Sequence, residues 1–139
     1  MPIRYAAEIV SMDALWILFN TTGWNKEYHI TVDDLAMAVR KSSFIVAAYD
    51  GDRFIGFGRV LTDGVLHAMI YDLITDPAYQ GRGVGSEVLK MLVKKCRQSG
   101  IRDVQLFCAA GKRNFYEKRG FVARNDDALG MEYGGANDT

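Results

Sequence analysis

The sequence predicts an α/β fold of the α+β kind, one mixed sheet in one domain, and three observations carry this. Residues 44–49, 53–61 and 65–75 are apolar or alternating runs separated by the tight-turn signals Asp50-Gly51-Asp52 and Thr62-Asp63-Gly64, which makes an antiparallel three-strand meander. After Asp76-Pro77 the apolar period becomes helical, with Val84, Val88, Met91, Leu92 and Cys96 on one side and Glu87, Lys90, Lys94, Arg97 and Gln98 on the other. A strand, a short helix and two more strand candidates complete the chain. Strands that meander and then alternate with helices belong to one sheet of mixed direction.

Taken in order, residues 3–9 read as a short strand. Ser11 caps a helix whose Ala14, Leu15, Trp16, Leu18 and Phe19 cover a broad apolar face, and Asn20-Thr21-Thr22-Gly23 stops it. Residues 24–30 read as a loop rich in aromatic and polar groups. Thr31 caps a second helix, with Asp33 and Asp34 in the first turn where the helix dipole favours anions. In the meander, Gly56 and Gly58 stand two apart and so share a face. Pro77 biases Asp76 away from helix, and Gly100 ends the long amphipathic helix. Residues 103–108 read as a buried strand, 112–119 as a helix stopped by Gly120, and 121–124 and 129–133 as the last strands. The sum is a mostly antiparallel sheet of about six or seven strands flanked by about four helices. The domain spans residues 1–133, and residues 134–139 form a loose tail.

Composition removes several classes of function. Seventeen Lys+Arg balance 17 Asp+Glu, for a net charge of zero. A protein that neutralises phosphates carries a basic excess, so no nucleic-acid partner is expected. No apolar run approaches the ~20 residues of a membrane span, and Met1-Pro2-Ile3-Arg4 lacks a signal-peptide core, which points to the cytoplasm. Cys96 and Cys108 have no CxxC spacing and no histidine cluster, so they read as reduced thiols. A structural zinc needs about four nitrogen or sulfur ligands, so no metal is expected.

Glycine is the outlier, with 14 residues against 2 prolines. Gly23, Gly51, Gly64, Gly100 and Gly120 punctuate turns and helix ends. Gly81, Gly83 and Gly85 instead alternate through Gln80-Gly81-Arg82-Gly83-Val84-Gly85-Ser86, between a strand end and the amphipathic helix. First-turn N–H groups of a helix lack internal partners and carry partial positive charge, so this loop is a seat for a phosphate or pyrophosphate. Arg82 can add a charge-assisted contact. A Walker loop would need Gly-Lys-Ser/Thr where Gly85-Ser86-Glu87 stands, and a dinucleotide fingerprint would need Gly or Ala at Ser86.

The spacing Gln80-x-x-Gly83-x-Gly85 resembles the acyl-CoA pyrophosphate loop of the GNAT superfamily of N-acetyltransferases. The preceding Asp72-Leu-Ile-Thr-Asp-Pro-Ala-Tyr-Gln80 and the later Asn114-Phe-Tyr116-Glu-Lys-Arg-Gly-Phe121 are similar to that family's sequences at the same places. Nearly the whole chain follows the family's element order, and its small size resembles compact bacterial members and plant arylalkylamine acetyltransferases. The resemblance implies acetyl-CoA as co-substrate, a small-molecule or peptide amine as acceptor, and a homodimer. It implies that Leu73, Ile74 and Thr75 lie along the pantetheine arm on a strand splayed from its neighbour. Gln80, Gly81, Arg82, Gly83, Val84, Gly85 and Ser86 would hold the pyrophosphate.

Acetyl transfer needs a neutral amine, a polarised thioester carbonyl and a proton for the departing thiolate. Tyr116 matches the family's general acid, while a plain core aromatic is the bland alternative. Asp72 could take the amine proton or serve as a structural acceptor. His67 lies on the same strand, on the opposite face unless a bulge intervenes. Trp24, Tyr28 and His29 are candidates for lining the acceptor pocket. Many family members place an Asn where this chain has Ala109, and Asn114 falls outside that slot, so its role stays open. A catalytically silent CoA-binding module is the alternative of another class. A toxin acting on charged tRNA is disfavoured by the absent basic excess.

Overall fold

The computed structural model describes residues 2–134, and in it the meander forms where the turn residues put it. Strands β1 (Arg4–Ala6), β2 (Phe44–Asp50), β3 (Arg53–Thr62) and β4 (His67–Thr75) pair antiparallel in chain order. Strand β5 (Asp103–Leu106) then adds parallel to β4, giving the order β1-β2-β3-β4-β5. Gly51, at φ +58, makes the tight turn between the facing residues Asp50 and Arg53. At the next turn the Asp63 carboxylate accepts the N–H groups of Val65, Leu66 and His67 at 2.8, 2.7 and 3.2 Å. That capture delays β4 until His67, two residues later than the apolar pattern suggests.

Local chemistry also sets the helices. The Ser11 hydroxyl accepts the Ala14 N–H and starts α1 (Met12–Asn20). Thr31 and Asp34 form a reciprocal capping box at the start of α3 (Val32–Arg40). Between them a single helical turn, α2 (Asn25–Tyr28), replaces part of the expected loop. The Asn25 amide closes it by bonding both the N–H and the carbonyl of Ile30.

The sheet buries both faces. On one, α1 and α3 contribute Leu15, Leu18, Phe19 and Leu35 to a core with Ala47, Tyr49, Phe54, Phe57 and Ile74. The other receives α4 (Val84–Gln98), whose Val84, Val88, Leu89, Leu92 and Cys96 are buried. Here Gly56 and Gly58 find their purpose. A Cβ on Gly56 would lie 2.7 Å from Val84 Cγ1, and one on Gly58 would lie 2.7 Å from Leu92 Cδ1 and 3.0 Å from Val88 Cγ1. The two missing side chains form the slot in which α4 rests.

The chain divides into two compact units, Met1–Leu106 and Phe107–Thr139. The first holds all five strands and α1–α4. The second holds α5 (Arg113–Glu117) and a single 3-10 turn at Asp126–Ala128. The strands expected at residues 121–124 and 129–133 do not form, so among the described residues the sheet has five strands rather than six or seven. A strand is held by burying one face, but Val122, Leu129, Met131 and Tyr133 are all exposed. Asn125 instead turns the chain, its carbonyl accepting the Ala128 N–H at 3.0 Å. The tail assigned to residues 134–139 lies outside the described residues beyond Gly134. Among the described residues no helix is long and apolar enough to cross a membrane, and no group of His, Cys, Asp or Glu is placed to hold a metal ion.

Candidate active site

Strand β4 changes partners midway. From Ala68 to Ile70 it pairs with β3 on one side and β5 on the other, and the parallel ladder, which starts at His67, stops at Ile70 opposite Leu106. From Tyr71 to Thr75 only the β3 ladder continues. At this divergence Asp72 and Leu73 together face the single residue Gly58, between the pairs Arg59–Tyr71 and Phe57–Ile74. This is a β-bulge, and Asp72 takes φ +55, a left-handed conformation that Asp tolerates better than most residues. Alternation would send Tyr71 and Asp72 to opposite faces. The bulge instead lets Arg59 reach both: its Nε donates to Asp72 Oδ2 at 2.6 Å, and its Cζ lies 5.5 Å from the Tyr71 ring centre. A strand that leaves one ladder presents N–H and C=O groups to a ligand lying along it.

The glycine loop begins where β4 ends. Asp76 Oδ1 accepts the Ala78 N–H and starts a 3-10 turn at Pro77–Tyr79, while Arg53 pairs with Asp76 Oδ2 at 3.0 Å. The Tyr79 hydroxyl donates to Asp50 Oδ2, and this bond pushes its phenol above the ordinary range. Arg53 and Arg82 set their guanidinium carbons 5.1 and 4.9 Å from the Tyr79 ring centre. The base of the loop is thus fixed through one aromatic ring. Gly81 and Gly83 both have φ +82, which only glycine adopts at little cost. Gly83 is the N-cap of α4 and has no side chain to satisfy the first turn, so the Val84 and Gly85 amides open toward the loop. Amides and dipole make this terminus fit a pyrophosphate.

In the second unit Tyr116 sits on α5. The Phe121 N–H donates to the Tyr116 carbonyl at 3.1 Å, folding Phe121 edge-on against the phenol ring with centres 5.9 Å apart. Burial, and secondarily the neighbouring Cys108, push the Tyr116 phenol above its ordinary 10.0. It is therefore protonated at neutral pH.

The family model for the Acetyltransferase (GNAT) family matches residues 9–121. The chain belongs to the GNAT acetyltransferase family. Among curated relatives it is 31% identical over 118 residues to the uncharacterized N-acetyltransferase ycf52 of the red alga Porphyra purpurea, covering 82% of this chain and 66% of that one. It is 27% identical over 131 residues to the chloroplastic GCN5-related N-acetyltransferase 1 of Arabidopsis thaliana, covering 94% and 66%. The chain thus spans just under two thirds of the length of these relatives. Among solved structures, a GNAT-family acetyltransferase from Streptococcus pneumoniae superposes with a TM-score of 0.80 at 29% identity, covering 95% of this chain and 97% of that one.

In this GNAT chain the predicted residues fall into three groups. Leu73, Ile74 and Thr75 lie on the part of β4 beyond its ladder with β5, and Gln80 to Ser86 carry the chain into α4. Tyr116 and Asn114 both lie on α5, with Asn114 exposed. The Ala109 carbonyl accepts the Lys112 N–H at 3.0 Å, holding the turn before α5. The acceptor-pocket candidates sit together on one helical turn, Trp24 before α2, Tyr28 in it and His29 after it, with the Tyr28 N–H donating to the Trp24 carbonyl at 3.3 Å. Trp24 packs edge-on to Phe19 beside the core, whereas Tyr28 is exposed and His29 ends α2 at φ +54, also exposed. His67 is engaged elsewhere, its Nδ1 being 2.9 Å from Asp103 Oδ1. Sequence reasoning missed Arg59, which belongs to no motif and meets Asp72 only through the register of β3 on β4.

Proposed function

We propose that this chain is an acetyl-CoA-dependent N-acetyltransferase that moves an acetyl group to a primary amine by direct attack in a ternary complex. The observation that carries the reading is the divergence of β4 from β5 immediately before a glycine loop that opens the start of α4. Such a strand edge followed by such a helix terminus suits one ligand with an amide-bearing arm and a pyrophosphate. Bound acetyl-CoA would supply an activated thioester acyl group. Leu73, Ile74 and Thr75 would bind its arm through backbone groups, one N–H turning toward the thioester oxygen. Gln80, Gly81, Arg82, Gly83, Val84, Gly85 and Ser86 would hold the pyrophosphate. Asp72 takes the proton of the incoming amine, directly or through water, and the Tyr116 hydroxyl protonates the CoA sulfur as it leaves. With its phenol raised by burial, Tyr116 carries its proton at neutral pH and can give it to a thiolate of comparable basicity.

The acceptor is a small-molecule or peptide amine. We assign the protein to the cytoplasm as a homodimer. Imaging a tagged chain separates cytoplasm from the plastid suggested by the chloroplastic relative, and sedimentation gives the oligomer. The deciding assay is CoA thiol release with arylalkylamines, polyamines, aminoglycosides and N-terminal peptides. Turnover with one class is the expected result. Acetyl-CoA binding without turnover points to a silent CoA-binding module, and absence of binding refutes the reading.

A further inference from the structure

We propose that Arg59 is a positioning residue for acetyl transfer, its guanidinium tying the end of α3 to Asp72 and so holding the bulge at which β4 leaves β5. The inference rests on the acetyl-CoA reading above and goes beyond its motifs. Asp72 is the second residue past Ile70, the last β4 residue paired with β5, so the ion pair sits at the branch point. Its left-handed backbone, φ +55, costs Asp less than most residues but more than an extended strand would, and contacts around it hold it there. Arg59 supplies this support from three directions. Its Nε holds Asp72 Oδ2 at 2.6 Å, its Nη1 donates to Ser42 Oγ at 3.4 Å, and its Cζ lies 5.5 Å from the Tyr71 ring centre. Ser42 is itself anchored, its hydroxyl donating to the Ala38 carbonyl of α3 at 2.9 Å. The ion-paired side chains are only 15% and 18% exposed. Charges drawn this far out of water add little net stability compared with an apolar pair, whereas a planar fork fixes geometry. Arg59 reaches only Oδ2, so the other carboxylate oxygen remains for the amine proton.

The test compares Arg59→Met, Arg59→Lys and Ser42→Ala with the wild type. Acetyl-CoA binding is measured by calorimetry, kcat by thiol release with the best amine of the panel, and folding by circular dichroism. Arg59→Met is expected to lower kcat of the folded protein by about ten- to a hundredfold, the scale of a misplaced reacting group, and to weaken acetyl-CoA binding several-fold. Arg59→Lys keeps the charge without the fork and is expected to fall between Met and wild type. Ser42→Ala is expected to cost less than either. A merely structural arginine would lower the melting temperature and leave both affinity and kcat untouched, which overturns the proposal. If Arg59→Met does not fold, wild-type affinity and kcat in both Arg59→Lys and Ser42→Ala overturn it equally. Wild-type protein that fails to bind acetyl-CoA refutes the underlying reading. Wild-type protein that binds, beside unchanged variants, refutes Arg59 alone.

Discussion

The glycine loop with α4 and the segment around Tyr116 are held in different ways. Val84, Val88, Leu89, Leu92 and Cys96 of α4 are buried against a sheet face made concave by Gly56 and Gly58. The Tyr116 segment is held by local bonds within a few residues of chain, namely Lys112 to Ala109, Phe121 to Tyr116 and Arg119 to the Phe115 carbonyl. The first arrangement locks the proposed pyrophosphate seat to the interior. The second presents one functional group on a short helix whose surroundings are largely exposed. Substitutions in the first region should therefore register as affinity and stability together, and those in the second as rate.

The sharpest test of this contrast is Tyr116→Phe, expected to lower kcat by about 10²-fold or more, the usual worth of a positioned acid, with acetyl-CoA affinity intact. Unchanged kcat removes Tyr116 from the mechanism. The same residue should set the alkaline limb of the pH–rate profile. Because burial raises its phenol, the rate should fall only as the pH climbs past 10.0, and this limb should be missing in Tyr116→Phe. Next in size is Gly56→Val. Its Cβ would sit 2.7 Å from Val84 Cγ1 and 3.1 Å from Ala48 Cβ, so overpacking should cost about 1–3 kcal/mol in denaturant titrations and also weaken acetyl-CoA binding. If stability falls while affinity holds, interior and loop are not coupled. Gly83→Ala meets no neighbour within 4 Å but must adopt φ +82, which costs about 1–2 kcal/mol of strain. Its signature is a raised KM for acetyl-CoA with little change in kcat.

The smallest expected effect belongs to neither region. The hydrogen bond to Asp103 raises the pKa of His67 above 6.5. The imidazolium form is thus favoured in the folded protein, and its stabilisation is complete below pH 6.5 and lost as the pH rises through the higher folded value. Both side chains are solvent-exposed, so the effect should be slight and screened by salt. A melting temperature that falls slightly over that window in wild type, and not in His67→Asn, is the expected record.

Features written in a few adjacent residues were legible from the sequence. Ser11 and Thr31 cap helices because the hydroxyl and the N–H it accepts lie three residues apart. The Gln80–Ser86 loop announces itself by spacing. The bulge at Asp72 does not, because it exists only in the register between β3 and β4. Gly56 and Gly58 could be placed on one face, but their purpose emerges only when Val84 and Leu92 arrive from about thirty residues away in the chain. The final strands failed for a related reason. A strand at residues 121–124 needs a surface to pack on, yet Val122 stands 87% exposed, and local sequence alone cannot supply that surface.

The slot under α4 also limits how this protein can be improved. Replacing an interior glycine with alanine is a common route to greater stability, because it restricts the unfolded chain. At Gly56 that route is closed: the first atom added would press on Val84, the first residue of the helix that carries the loop. Two glycine hydrogens buried beneath α4 thus set the seat of the helix that carries the surface loop.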